Sequence, residues 1–286
     1  MRRTSGFLLI LLVLMLFCFP SLASPLEAYG LTFDSMDTVI DFGKTPVRDI
    51  EPLIHLVEQM PALREVDLYQ QRLPQEDMER LFDMFPDIFW GFTLRFWEHA
   101  VRTDVTAFST LHGSCPEPPH SEKEFSMLRM CRNLEALDIG HNATRDISWL
   151  AGLPHLKVLI IAINQIEDIS VLSQLHELQY LEVFTNKVMD VTPLQGLTNL
   201  VDLNLSNNPI SDLSPLYRMT WLRRLWLGDH MEYPPEQKAE IMAALPDTEF
   251  FWGWGPTAGT WREHPHYFAL YDFFRTRIFV PFDDLI

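Results

Sequence analysis

Aspartate recurs at matching places along this 286-residue chain: Asp146, Asp168, Asp190 and Asp212 stand 22 residues apart, and Asp49 occupies a similar context upstream. A row of carboxylates could hold calcium, a hard cation that takes oxygen ligands. The neighbouring residues point elsewhere. Ser148, Ser170, Thr192 and Ser214 follow two positions later, with Pro193 and Pro215 next. A hydroxyl residue before proline reads as the N-cap and first residue of a short helical turn, and the aspartates then bond N–H groups of that turn. Two looser clusters offer zinc donors, His112 with Cys115 and His120, and Glu263 with His264 and His266. Neither has the paired spacing of a zinc site. The sequence contains no nucleophile elbow, zinc-protease helix or phosphate loop. No catalytic residue, metal or cofactor is expected, and the chain reads as a non-enzyme.

The elements that must position these side chains follow from a 22-residue period. Leu134, Leu156, Leu178, Leu200 and Leu222 share one phase, as do Leu137, Leu159, Leu181, Leu203 and Leu225. Ile139, Ile161, Val183, Leu205 and Leu227 share another, and Asn142, Asn164, Asn186 and Asn208 form a polar column that ends where His230 replaces asparagine. This L-x-x-L-x-L-x-x-N pattern is that of leucine-rich repeats, in which each coil buries apolar surface only by stacking on its neighbours. The predicted fold is an α/β solenoid with a parallel concave sheet, short helical or 3-10 convex turns, and irregular α+β caps at both ends. Each asparagine amide can both donate and accept, so it suits the backbone groups that a turn leaves orphaned.

Upstream the repeat is degraded. Ile40, Phe42, Val47, Ile50 and Leu53 match one coil, and Leu63, Val66 and Leu68 begin another, followed by a predicted helix over 75–84 and strands up to Phe108. Met60–Leu68 resembles Met219–Leu227, and each leads through a polar helical stretch to a Phe-Trp-Gly, at 89–91 and 251–253. One module of coil, helix and aromatic strand thus flanks the regular array, and its second copy with the aromatic tail reads as a C-terminal cap. The expected division is 1–23 signal peptide, 24–132 N-terminal cap with degenerate repeats and an inserted strand and loop region, 133–228 regular repeats, and 229–286 aromatic-rich C-terminal cap.

Alternation along each strand sends the residues between the leucines to the concave face. Across the coils these include Asp138, Ile160, Tyr180, Glu182, Phe184, Asp202, Asn204, Arg224 and Trp226, an apolar and aromatic centre with a charged surround. Such a patch is an interface signature, with Tyr, Trp and Arg as usual anchors. The favoured reading is an open partner-binding surface; the other is that the tail or the 109–121 loop folds back over it. Residues 134–150 (LEALDIGHNATRDISWL) and 200–216 (LVDLNLSNNPISDLSPL) resemble the repeats of internalin-like bacterial leucine-rich-repeat proteins, closely over 133–228 and more loosely over 37–85. The resemblance implies a protein partner bound through the concave sheet, and no particular ligand. The alternative function is cell-wall or glycan contact through the aromatic segment from Phe250 to Trp261, since aromatic rings stack on sugars; the recurrence of Phe-Trp-Gly within the upstream module favours a structural cap instead.

Arg2 and Arg3, the apolar run from Phe7 to Phe19 and the small residues ending at Ala23 describe a secretory signal peptide. The expected location is therefore extracellular, secreted or at the cell surface, with no stable membrane insertion after cleavage. A formal net charge of −17 argues against nucleic acid as a partner, because so acidic a surface repels phosphate. Cys131 falls at a phase held by leucine in later coils and reads as a core thiol; a disulfide to Cys115 is the other possibility.

Overall fold

The computed structural model describes residues 24–96, 99–110, 122–228, 233–252 and 266–282. The segment 1–23 lies outside the described residues, as do His112, Cys115, His120, His230, Trp254, Trp261, Glu263 and His264.

A hairpin of β1 (Pro25–Ala28) and β2 (Leu31–Asp34) precedes two coils in which β3 (Val39–Asp41), β4 (Glu65–Asp67) and β5 (Phe89–Gly91) form a parallel three-stranded sheet. Their convex sides are helices, α1 (Glu51–Glu58) and α2 (Gln75–Met84). The antiparallel pair β6 (Thr93–Phe96) and β7 (His99–Arg102) then interrupts the array. A second sheet begins with β8 (Ala107–Ser109), and after the short α3 (Glu122–Ser126) it continues through β9 (Ala136–Asp138), β10 (Val158–Ile160), β11 (Tyr180–Glu182), β12 (Asp202–Asn204) and β13 (Arg224–Trp226). Helix α4 (Pro235–Ala244) leads to its last strand, β14 (Glu249–Phe251), and α5 (Tyr267–Thr276) follows. The structure is the expected leucine-rich-repeat solenoid. The flanking module recurs too, as β4–α2–β5 and again as β13–α4–β14.

The 22-residue period sets the strand register. Leu137, Leu159, Leu181, Leu203 and Leu225 are successive Cα partners, and Phe108 and Phe250 extend the row at its two ends. All five leucines are buried, and the core runs without a break from the N-terminal coils through the array. On the convex side the chain crosses in 3-10 turns at Ser148–Gly152, Ser170–Gln174, Thr192–Leu194 and Ser214–Arg218.

Asparagine joins coil to coil. The Asn186 amide nitrogen donates to the Val183 carbonyl of its own coil and to the Ile161 carbonyl of the one before, both at 2.9 Å, while its oxygen accepts from the Ile166 N–H at 3.0 Å. Asn164 and Asn208 repeat this pattern. The residue just before each ladder asparagine, His141, Ile163, Thr185 or Asn207, has φ between 53° and 59°. That left-handed conformation is costly for β-branched residues such as Ile163 and Thr185, so the surrounding bonds must impose it.

The aspartate column bonds the turns in a way that corrects one expectation. The N-cap positions are Ile147, Ile169, Val191 and Leu213, none with a side-chain cap, and the hydroxyl residues sit inside the turn. The capping acceptor is the aspartate two residues earlier. Asp146, Asp168, Asp190 and Asp212 each take the N–H of Ser148, Ser170, Thr192 or Ser214 at 2.8 Å, and Asp49 takes that of Glu51 at 3.0 Å. Bonds from Thr192 and Ser214 hold the carboxyls of Asp190 and Asp212 below the usual range, and the Ser170 N–H does the same for Asp168. Among the described residues no three His, Cys, Asp or Glu side chains are placed to share a metal ion. Cys131 is free and fully buried, so its thiol is pushed up by desolvation.

The Asn186→Ala change orphans the buried Ile166 N–H and strips the Ile161 and Val183 carbonyls of one of their two asparagine donors, and should cost about 1–3 kcal/mol in denaturant unfolding. The solvent-exposed Asp190→Ala should cost about 0.5–1 kcal/mol, the low end for a lost cap. Equal costs at the two positions would show that the asparagine ladder does not join the coils.

Candidate functional site

Strand alternation lays two rows of side chains along the concave face. One runs Ala107, Ala136, Val158, Tyr180, Asp202, Arg224, Glu249; the other runs Ser109, Asp138, Ile160, Glu182, Asn204, Trp226, Phe251. Eight of the nine residues expected from the sequence to bind a partner stand in these rows. The ninth, Phe184, lies past the end of β11 and is buried beside the asparagine turn, where its carbonyl accepts from the Ile163 N–H at 2.9 Å.

The rows are not open. Tyr180 is 1% exposed, Trp226 3% and Phe184 5%, which corrects the expectation of an exposed aromatic patch. The cover is the tail. Leu270, Phe273 and Phe274 on α5, with Phe279 and Phe282 beyond it, pack against Ala107, Ala136, Val158, Tyr180 and Trp226 in an apolar cluster separate from the leucine core. Residues 266–282 therefore form a strap across the sheet rather than an end cap. His266 anchors its start near β12, and at its far end Arg277 takes the left-handed conformation, with φ 60°, where α5 stops. There the Arg277 guanidinium donates to the Ala100 carbonyl, the Arg277 carbonyl accepts from the Ala107 N–H, and the Phe279 N–H donates to Thr106 Oγ1 at 2.9 Å. The Ala107 bond occupies part of the edge of β8, which would otherwise expose unpaired backbone.

Ionisable groups lie beneath the strap. Asp202, 1% exposed, accepts from Arg224 at 2.7 Å and from His266 Nδ1 at 2.8 Å, and the His266 ring stacks on Phe282 with centroids 3.9 Å apart. Asp138 and Glu182 have no such compensation: neither forms an ion pair among the described residues. Asp138 accepts from the Ser109 hydroxyl at 2.8 Å and the Gly140 N–H at 2.9 Å, and Glu182 from the Tyr180 hydroxyl at 3.3 Å. Burial pushes Asp138 up to about 6. Burial raises Glu182 well above the carboxylate range, and the nearby charge of Asp138 adds to this.

Sequence reasoning missed Ser109 and His266 as parts of this face. Ser109 escaped because β8 lies 29 residues before β9, not one period. His266 carried a signal, but one that read as a metal donor rather than a partner of Asp202. Trp252 does not project as a free ring. It stacks on Phe250 at 5.5 Å, with Tyr233 at its edge and Lys238 over its face.

The family model for leucine-rich repeats (2 copies) matches residues 132–173 and 198–231. Among solved structures the chain is similar to an internalin (inlF) from Listeria monocytogenes str. 4b F2365, at 22% identity and a TM-score of 0.44 over 74% of this chain and 53% of that one. The match thus spans about half the length of that internalin. The chain is also similar to an internalin C2 from the same strain, at 24% identity and a TM-score of 0.40 over 67% of this chain and 80% of that one. No curated protein matches the chain. No described helix is long and apolar enough to cross a membrane.

Because the strap buries them, trimming Trp226 to alanine should cost about 3–5 kcal/mol, as for a core aromatic, rather than leave stability intact. A pH dependence follows as well. A carboxyl with a raised folded-state pKa favours the closed form while protonated, so its contribution is whole below about pH 4 and declines as pH rises. For Asp138 the decline falls between about pH 4 and its folded value, and for Glu182 it extends upward from its ordinary value. Among the described residues, other charged groups around the strap are Lys157, Asp202 and Arg224 on the sheet, and His266, Asp272, Arg275 and Arg277 on the tail. Asp138→Asn with Glu182→Gln should leave these in place and gain stability over wild type progressively from pH 4 to pH 8 in thermal melts. A stability difference between the two proteins that does not change with pH would contradict this.

Proposed function

We propose that this protein is a non-catalytic recognition module, acting outside the cell, whose concave sheet binds a partner protein in the place its own residues 266–282 hold here. The observation that carries the reading is the strap itself. An amphipathic helix and two following phenylalanines lie on the sheet with their apolar sides inward, which is the helix-in-groove mode of peptide recognition. Solenoids present extended concave surfaces suited to this use. The tail then acts as a ligand held in reserve. An isolated ten-residue helix is marginal in water, so α5 owes its order to docking and can be exchanged for a better-matched segment. Sugar binding through the C-terminal aromatics gains no support from Trp252, whose ring is engaged in packing the last coil.

The test loosens the strap in the full-length chain. Phe273→Ala with Phe279→Ala should raise capture of a discrete partner from the producing organism's surroundings by about tenfold, equivalent to ~1.4 kcal/mol of competition removed. A synthetic peptide of residues 266–282 should abolish that capture. If capture is unchanged by loosening and indifferent to the peptide, binding lies off the concave face.

A further inference from the structure

We infer that the partner segment which replaces the strap carries two basic side chains, about seven residues apart on a helix, that meet Asp138 and Glu182. This rests on the concave-face reading and specifies the chemistry of its partner. The strap satisfies the face unevenly. Over β12 it supplies His266, which with Arg224 accounts for both oxygens of Asp202. Over β9 to β11 the strap packs aromatic and aliphatic side chains on the sheet, and among the described residues Asp138 and Glu182, 3% and 4% exposed, meet neutral donors alone. Asn204, next to Glu182 in the same row and 1% exposed, has an amide nitrogen with no acceptor among the described residues. Two carboxyls without cations and a donor without an acceptor are the mark of a surface shaped for something other than its present cover.

Geometry fixes the spacing. Asp138 and Glu182 share a row with Ile160 between them, so two strand separations, about 10 Å, divide them. The strap crosses the strands, from His266 at β12 to Arg277 beside β8. A helix lying the same way advances about 10.5 Å in seven residues, so positions i and i+7 fall over the two acids, with an apolar residue over Ile160 at mid-span. At a pH below about 6, where burial favours the neutral form of both carboxyls, an arriving cation would turn each into half of an ion pair and send its proton to the buffer. The chain's net charge of −17 steers a basic partner toward it before contact.

The probes are two synthetic 14-residue helical peptides with one Leu/Phe face, identical but for Lys or Gln at two positions seven apart, titrated at pH 5.5 into full-length protein. The Lys peptide should bind at least about tenfold more tightly, and calorimetry in buffers of different ionisation heat should show proton release on binding. In the Asp138→Asn/Glu182→Gln chain, whose strap and apolar packing are intact, the preference should fall toward one and the proton release should vanish. Equal affinity of the two peptides for wild type, or a preference that survives in the double variant, overturns the charge assignment while leaving concave binding standing. Failure of both peptides to bind wild type and a strap-loosened Phe273→Ala chain overturns the concave-face reading with it.

Discussion

A single coil of this chain cannot bury its own leucines, and the whole molecule depends on coils stacking in register. The asparagine ladder enforces that register, because the amides of Asn164, Asn186 and Asn208 each bond carbonyls in two successive coils and accept an N–H from the earlier one. The left-handed residue before each asparagine carries the strain of the turn, and the ladder's bonds offset it. Once the register is fixed, every side chain between the leucines has a determined place in one of two concave rows.

Those rows give the molecule a second apolar surface with requirements of its own. Tyr180, Val158 and Trp226 would form a large exposed patch if left bare, and such patches are either used or covered. Residues 266–282 cover this one, and Asp138 and Glu182 lie away from water with no cation beside them among the described residues. The closed form is thus held by aromatic packing and opposed by two carboxyls.

The leucine and asparagine columns were legible because a residue type repeated at a fixed interval declares both the coil and the direction of its side chains. The helix at 75–84 and the duplicated flanking module were readable for similar reasons, polar periodicity in one case and internal likeness in the other. The strap was not legible as a fact, only as one of two alternatives. Its contacts join residues as distant as Ala100 and Arg277, and nothing in a 22-residue period says which unrelated segment lies on the face it creates. The hydroxyl column misled in a smaller way. Serine before proline looks like an N-cap, whereas Ser214 lies inside the turn and Asp212, two residues earlier, accepts its N–H.

Hydrogen–deuterium exchange of the full-length chain addresses the central claim, that the tail closes the concave face, most directly. The amides of α5 from Phe273 to Thr276, and the Phe279 amide bonded to Thr106, should exchange far more slowly than those of an isolated ten-residue helix, with protection that declines as pH rises from 5 to 8 once intrinsic exchange rates are divided out. Exchange at the rate of unstructured chain throughout this segment, with Tyr180 and Trp226 strands protected regardless, would contradict the account.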